Sequence, residues 1–260
     1  MRLRARTLLL AAAAILAVDA LLLEPNWIEV TRATVAAPIA RPLTIAHLTD
    51  LHTRGVGFRE RRMLAILARE RPDLIVITGD ITQERGSLED ALPVLAGLRA
   101  PLGVWAVRGN WEIWRPSPHE RAALAAAGVR LLVNEAAPLG DSLWLAGFDD
   151  PYVGRPDVDR TLGAVPRGAW TIALFHAPAL LDRIAGRVPL ALAGHTHGGQ
   201  VQLPFVPTFW LPGGCDGYLK GWFTRGGTRM YVSRGVGMSG PPVRFLCRPE
   251  VAIITLTPAR

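Results

Sequence analysis

The sequence predicts an α/β fold with a substantially parallel or mixed sheet. Five short apolar runs have the length and composition of buried strands, at Leu43–Leu48, Leu74–Thr78, Val104–Val107, 169–175 and Leu190–Ala193. Helical patterns fall between these runs, at 59–69, 88–98, 119–127 and 179–184. Strands that alternate with helices in this way are typical of an α/β protein.

The chain is long and apolar enough to form a substantial core. It has 260 residues, half of them hydrophobic, which allows one large domain or two small ones and excludes wholesale disorder. The formal net charge of +7 favours anionic partners, but the sequence has no long basic run, so nucleic acid is not favoured. Cys215 and Cys247 lack metal-binding spacing and form either one disulfide or two free thiols.

Residues 1–24 are predicted to form a membrane anchor or signal segment. Three arginines among the first six residues precede an apolar stretch at 7–23, which Asp19 interrupts. As a helix this stretch reaches roughly 26 Å, just short of a hydrocarbon core of about 30 Å. We favour a single anchor in the inner (cytoplasmic) membrane, with a cleaved signal peptide or an interfacial helix as alternatives. The arginines are expected to stay cytoplasmic, which places the rest of the chain outside the cytoplasm.

The segments outside the regular alternation are assigned from composition. Residues 25–42 are expected to form a linker or edge strand leading into one domain at 43–257. Residues 130–133 and 142–146 are expected to form a hairpin or neighbouring strands. Residues 198–227, rich in Gly, Pro and aromatic residues, are expected to form a long functional loop or a loop–hairpin excursion. The runs at 229–232 and 251–256 are expected to close a second sheet.

Residues of the kinds that bind metals follow each of the five predicted strands. In chain order they are Asp50 and His52, Asp80, Asn110, His176, and His195 with His197. An Asp or Asn after a strand is usually a turn former, but five successive strand ends of this kind are hard to obtain by chance. Because the carboxyl ends of strands in an open α/β sheet line one crevice, we expect these side chains to converge. His47 lies in mid-strand and is expected to be structural.

These motifs resemble those of the calcineurin-like metallophosphoesterases. The matching segments are Asp50-Leu51-His52, Gly79-Asp80, Gly109-Asn110, His176 and the run Gly-His-Thr-His-Gly-Gly-Gln that begins at Gly194. Residues 24–31 and 232–250 also resemble the membrane-associated bacterial branch that contains YkuE- and YaeI-like phosphodiesterases. The resemblance implies an αββα four-layer sandwich of two mixed sheets, as a single domain after an N-terminal hydrophobic helix.

The resemblance further implies a metal-dependent hydrolase of phosphate esters with two divalent metal ions. Asp50, His52 and His197 would hold the first ion, Asn110, His176 and His195 the second, and Asp80 would bridge both. Oxygen ligands combined with imidazole suit Mn, with Fe or Zn as alternatives. A metal-activated hydroxide would attack phosphorus in line, with Asp80, Asn110 and His195 as the catalytic residues.

One position departs from the family pattern. The family usually has a His directly after the Gly-Asn pair, where this chain has Trp111 followed by Glu112. Indole cannot shuttle a proton at neutral pH, so we expect a good leaving group such as pyrophosphate, or a substitute acid at Glu112 or His119. Trp111, Ile113 and Trp114 could equally form a packing cluster under the site. The indole is also compatible with a non-catalytic metal-binding membrane protein.

The substrate is expected to be a phosphorylated small molecule or a lipid-linked compound close to the membrane. A phosphodiester, a phosphomonoester and a pyrophosphate are all candidates, and a nuclease-type phosphodiesterase is the alternative. The loop with Phe205, Phe209, Trp210 and Leu211 is expected either to rim the cleft or to pack onto the domain.

Overall fold

The computed structural model describes residues 2–140, 142–208 and 210–259. Within them, the strands are β1 (Glu29–Ala37), β2 (Leu43–Leu48), β3 (Leu74–Thr78), β4 (Val104–Val107), β5 (Val129–Leu131), β6 (Glu135–Pro138), β7 (Leu143–Gly147), β8 (Trp170–Leu174), β9 (Leu190–Ala193), β10 (Gly221–Arg225), β11 (Thr228–Val232) and β12 (Glu250–Pro258). The α-helices are α1 (Arg2–Val18), α2 (Phe58–Glu70), α3 (Leu88–Leu95), α4 (Asn110–Trp114), α5 (Glu120–Ala126), α6 (Val158–Gly163) and α7 (Leu181–Ile184).

The strands form two six-stranded sheets, both mixed. The first has the order β1-β12-β2-β3-β4-β5 and is parallel except between β12 and β2. The second has the order β10-β11-β9-β8-β7-β6, with a parallel centre and one antiparallel pair at each end. This arrangement confirms the predicted α/β class and the two mixed sheets.

Side chains that alternate along the strands build a four-layer sandwich. In β3, Leu74 and Val76 face a core shared with the second sheet, whereas Ile75 and Ile77 face α2, α3 and α5. In β9, Leu192 faces the shared core, and the alternate residues pack with α6 and α7. Because neighbouring strand residues point to opposite faces, each buried strand must be apolar on both sides, which explains the unbroken apolar runs.

The predicted pairing of residues 130–133 with 142–146 is wrong. β5 is the edge strand of the first sheet, whereas β7 belongs to the second. The chain crosses between the sheets at Leu132, whose side chain lies in the shared core. The hairpin partner of β7 is β6, whose sequence Glu-Ala-Ala-Pro has no β-branched or aromatic residue to signal a strand.

The C-terminal run at 251–256 also lies in a different sheet from the one predicted. It forms most of β12, which sits between β1 and β2 in the first sheet, whereas 229–232 lies in β11 of the second sheet. β1, from the segment at 25–42, pairs with β12 over nine residues. The long loop at 198–227 ends in the β10–β11 hairpin; Phe209 lies outside the described residues.

The N-terminal helix continues beyond α1 and touches the domain. It runs through a π-helical turn at Asp19–Leu23 and a 3₁₀ turn at Glu24–Asn26. The span Arg6–Asn26 contains an 18-residue window with a mean hydropathy of 2.1 and is long and apolar enough to cross a bilayer, a property that signal sequences share. The buried Glu24 carboxylate accepts hydrogen bonds from the backbone amides of Leu246 and Cys247. Cys215 and Cys247 are both buried free thiols.

Candidate metal centre

The seven candidate ligands lie at the edge where the two sheets meet. β2, β3 and β4 are neighbours in the first sheet, and β8 and β9 are neighbours in the second. The residues after these strands form two groups in which the possible ligating atoms lie within 4.8 Å of one another. One group is Asp50, His52 and His197, and the other is Asp80, His176 and His195. Asn110 lines the same cavity as Asp80 and His195.

Tight backbone turns aim these side chains inward. Five of the seven have positive φ angles: Asp50 (50°), His52 (41°), Asp80 (52°), His195 (72°) and His197 (51°). Left-handed conformations cost residues other than glycine about 1–3 kcal/mol each and concentrate at functional sites. At Gly79, a Cβ atom would lie 2.5 Å from the amide nitrogen of Gly109, so only glycine lets the β3 and β4 turns approach each other.

Backbone carbonyls fix the orientation of three of the histidine rings. His52 and His176 donate Nδ1–H to the carbonyls of Thr82 (2.9 Å) and Thr78 (2.7 Å), and His195 donates Nε2–H to that of Gly213 (2.7 Å). The Nε2 atoms of His52 and His176 face Asp80, and His195 Nδ1 lies 3.0 Å from His176 Nε2. Outer hydrogen bonds of this kind hold histidine ligands in the correct tautomer.

The two carboxylates lie among these nitrogen atoms. Asp80 Oδ2 is 3.2 Å from His176 Nε2 and 3.6 Å from His52 Nε2. Asp50 Oδ1 is 3.3 Å from His197 Nε2. Asp80 therefore contacts a histidine of each group.

Four buried side-chain oxygens have no hydrogen-bond partner among the described residues, and two of them belong to the candidate ligands: Asp50 Oδ1 and Asn110 Oδ1. Buried acceptors are normally satisfied, so each such atom needs an explanation. Both atoms are hard oxygen donors, and a divalent cation would satisfy them.

The electrostatics of the site favour positive charge. Burial alone would lower the pKa of His176, but the charge of Asp80, its hydrogen bond and the charge of Asp50 raise it to about 10. Burial lowers the pKa of His195 to about 4, helped by repulsion from His176. A neutral imidazole at His195 is the form that binds metal. The donor set, the unpartnered oxygens and this potential together fit two divalent cations.

Glu112 holds the site together and is not a free acid. One carboxylate oxygen accepts from the amides of Asp80 and Gly109 (2.9 Å each). The other accepts from the amide and hydroxyl of Thr82 (3.1 Å each) and the amide of Ile81 (3.0 Å). Burial, with the charge of Asp80, raises the pKa of Glu112 to about 7, yet all five partners are donors, which requires the carboxylate. Glu112 as a substitute acid is therefore not supported.

The structure also shows where the other residues that were predicted near the site lie. His119 is exposed, immediately before α5. His47 is buried and bonded to the Thr78 hydroxyl at 2.8 Å, outside both ligand groups. Trp111 donates its backbone N–H to Asp80 Oδ1 (3.0 Å), and its ring lines the cavity with that of Trp114.

Arg244 is fully buried behind the site. Its guanidinium donates to five backbone carbonyls, those of Arg234, Gly235, Gly237, Cys247 and His197. Arg234 pairs with Glu250 and Glu29. Arg244 therefore braces the turns behind His197 and is not available to a substrate.

A cavity of about 770 Å³ opens over the second ligand group. Its apolar wall, which we call the apolar lobe, is formed by Trp111, Trp114, Tyr152, Trp210, Leu211 and Val243. A smaller cavity of about 340 Å³ lies on the His52 side and includes Arg54 and Arg85; we call it the basic lobe. Trp111 lines both cavities and lies at their boundary. Tyr152 was not found from the sequence, because nothing local marks it as a cavity residue.

Sequence relatives match this protein over most of the chain. The family model for calcineurin-like phosphoesterase matches residues 43–199. The chain is 33% identical over 249 residues to the uncharacterized metallophosphoesterase YkuE of Bacillus subtilis, covering 90% of this chain and 87% of that protein. It is 31% identical over 249 residues to phosphodiesterase YaeI of Escherichia coli, covering 90% of each.

A solved structure shares the fold. A dimetal phosphatase from Danio rerio superposes with a TM-score of 0.50 at 14% identity, covering 84% of this chain and 99% of that one. Likeness at this identity concerns the fold alone. Together with the family match and the convergent ligands, it places the chain in the calcineurin-like phosphoesterase family, as a metal-dependent hydrolase of phosphoesters.

Proposed function

We propose that this protein hydrolyses an amphiphilic phosphodiester or phosphoanhydride close to a membrane, with two divalent cations, Mn²⁺ foremost. The observation that carries the proposal is the position of the two ligand groups between an apolar lobe and a basic lobe. Under this proposal, Asp50, His52 and His197 would hold one cation, Asn110, His176 and His195 would hold the other, and Asp80 would contribute to both.

The chain's own residues set up the reaction in three ways. Carbonyl acceptors hold His52, His176 and His195 in the ligating tautomer. Because the Nε2 proton of His195 is bonded to Gly213, His195 acts as a ligand and does not supply a proton to the leaving group. Glu112 fixes the backbone of Asp80, so that its carboxylate faces both groups. When bound, the cations supply Lewis acidity for the phosphoryl oxygens and a nucleophile from water.

The apolar lobe favours a diester over a monoester. No Lys or Arg occurs among the described residues that line it, so a phosphate dianion would have no protein cation beyond the metals there. A diester carries one negative charge, and its second substituent can pack against Trp114 and Tyr152. Trp111 in place of a proton donor favours a leaving group that departs as a stable anion.

The basic lobe can receive that leaving group. Arg54 and Arg85 line it on the far side of Trp111, where an anionic group such as a second phosphate would be stabilised. The lobe is too small to be the long basic groove that a nuclease needs. A lipid-linked or otherwise amphiphilic substrate fits both lobes at once.

The test is hydrolysis of bis-p-nitrophenyl phosphate and p-nitrophenyl phosphate by the full-length protein, after metal stripping and Mn²⁺ re-addition. Metal-dependent turnover that is faster with the diester supports the proposal. Asp80→Asn should abolish it, whereas the matched variant Asp157→Asn, at the exposed N-terminus of α6, should leave it unchanged, since Asn caps a helix as well as Asp. Unchanged hydrolysis in Asp80→Asn would contradict the assignment of the metal site. No turnover at full metal occupancy would favour a non-catalytic role.

A further inference from the structure

The loop between the metal ligands and β10 exposes an unusual apolar surface. Residues 201–211 contain no charged side chain. Five consecutive residues at 203–207, which we call the apolar loop, are all exposed. Phe205 at its tip is fully exposed, flanked by the half-exposed Leu203 and Val206. Soluble surfaces rarely present a contiguous uncharged apolar segment of this kind unless it contacts a partner or a membrane.

Hydrogen bonds connect the base of the apolar loop to the end of the N-terminal helix. Gln202 donates its backbone N–H to Phe245 (2.8 Å), and Phe245 donates to Gln200 (3.1 Å). On either side of Phe245, Arg244 donates to the carbonyl of Ala20 (3.0 Å) and Leu246 to the carboxylate of Glu24 (2.7 Å). Since hydrogen-bonded backbones lie about 5 Å apart, the loop base is roughly 10 Å from the C-terminal end of the apolar helix.

Two exposed apolar residues here adopt strained backbone conformations. Phe205 has a φ of 65° and Leu246 a φ of 53°, and Leu246 is 55% exposed. Bulky side chains rarely occupy the left-handed region. Exposing a phenylalanine and a leucine to water in strained conformations does not stabilise the fold. An apolar environment outside the protein would stabilise both side chains.

Trp27, just beyond the apolar helix, adds a third element to the same surface. It is half-exposed, and the Arg248 guanidinium lies 3.9 Å from its ring centroid. Tryptophan is enriched where a membrane meets water, and an arginine beside it can bind a lipid phosphate.

The mouth of the catalytic cavity is built from the same segments. Val201, Trp210 and Leu211 flank the apolar loop and line the cavity over the second ligand group, as does Val243, which adjoins Arg244. Whatever covers the apolar loop therefore lies beside the entrance to the metal centre.

We propose that the apolar loop, with Leu246 and Trp27, inserts into the bilayer surface next to the N-terminal helix. The protein then has two attachments to the membrane, and the apolar lobe opens toward the headgroup region. We assign lipid as the partner of the apolar loop because this surface is continuous with a helix that is long and apolar enough to span a bilayer. The inference rests on the membrane location within the proposed function, but not on catalysis.

The experiment places a fluorophore at the loop tip in the full-length protein. A polarity-sensitive dye is attached to Phe205→Cys or to the control Arg167→Cys; Arg167 is exposed at the opposite end of β8 from His176. Cys215 and Cys247 are buried. Each protein is reconstituted into phosphatidylcholine–phosphatidylglycerol vesicles with or without nitroxide lipids labelled near the headgroup.

The expected result is a blue shift and quenching by nitroxide lipid for the dye at 205, and neither change at 167. Solvent-like emission at 205, equal quenching at both positions, or failure of the protein to float with the vesicles would each overturn the proposal. A blue shift without vesicles that grows with protein concentration would show that a second copy covers the loop. Because this readout needs no turnover, it separates failure of insertion from failure of the proposed hydrolysis.

Discussion

Replacing Arg244 with lysine tests how the site is braced from behind. Lysine is the nearest basic side chain, but it lacks the forked guanidinium that makes these hydrogen bonds. Arg244 reaches five carbonyls, whereas an ammonium has three donors and leaves at least two carbonyls unpaired. A buried acceptor left without a partner costs about 1–3 kcal/mol, so we expect a loss of about 2–6 kcal/mol in unfolding free energy.

Thermal unfolding of the full-length protein in detergent measures this loss. For a domain of this size a loss of about 2–6 kcal/mol lowers Tm by about 4–24 °C. The matched control is Arg121→Lys, because the side chain of Arg121 is 57% exposed and bonds one carbonyl and the Glu135 carboxylate. The control should change stability by no more than about 1 kcal/mol. Equal Tm values for the two variants would refute the role given to Arg244.

Three further predictions follow from the site and its surroundings. Asp80→Asn should lower kcat/KM for bis-p-nitrophenyl phosphate by more than about 100-fold, since even outer-shell changes at metal sites cost 10–100-fold; steady-state kinetics measure it. Trp111→His should raise turnover of alkyl phosphodiesters by about 10²-fold, the lower end of general acid catalysis, and change p-nitrophenyl diesters little; an unchanged ratio of the two rates would contradict this. Burial alone would raise the pKa of Glu250, but the charge of Arg234 and hydrogen bonds hold the pKa below the ordinary glutamate value of 4.5. Its stabilisation is therefore present at neutral pH and lost as pH falls through the folded-state pKa, so the stability gap between wild type and Glu250→Gln should narrow below pH 4.5 in denaturant titrations.

The sequence predicts the strands beneath the metal centre because their signal is local. Residues 43–48, 74–78 and 190–193 are mainly apolar, and an Asp or His stands at the second position after each run. The turn that orients each ligand depends on residues within two or three positions. The ligand pattern can therefore be recognised in the sequence without knowledge of the fold.

The predictions that were wrong concern contacts between distant parts of the chain. Nothing in residues 251–256 shows that they pair with β2, and nothing in residues 130–133 shows that the chain leaves one sheet for the other at Leu132. The function of Glu112 depends on amides from two separate turns. Its position three residues after Gly109 is that of a helix-capping glutamate, a signal that could have identified its structural role.

Tertiary contacts also decide the surroundings of the site. Tyr152 reaches the cavity from a loop far from every ligand motif, and the structural role of Arg244 is evident only from its five backbone carbonyl partners. The roles of such side chains depend on residues that are distant in sequence, so no local sequence pattern reveals them.

The count of bound metal ions tests the central claim most directly. After metal stripping and equilibrium dialysis against Mn²⁺, elemental analysis should find two ions per chain in the wild type and one in His197→Ala. The control His47→Ala removes a buried histidine that lies outside both ligand groups and should keep two. Two ions in His197→Ala, or fewer than two in the wild type at saturation, would contradict the two-metal centre described above.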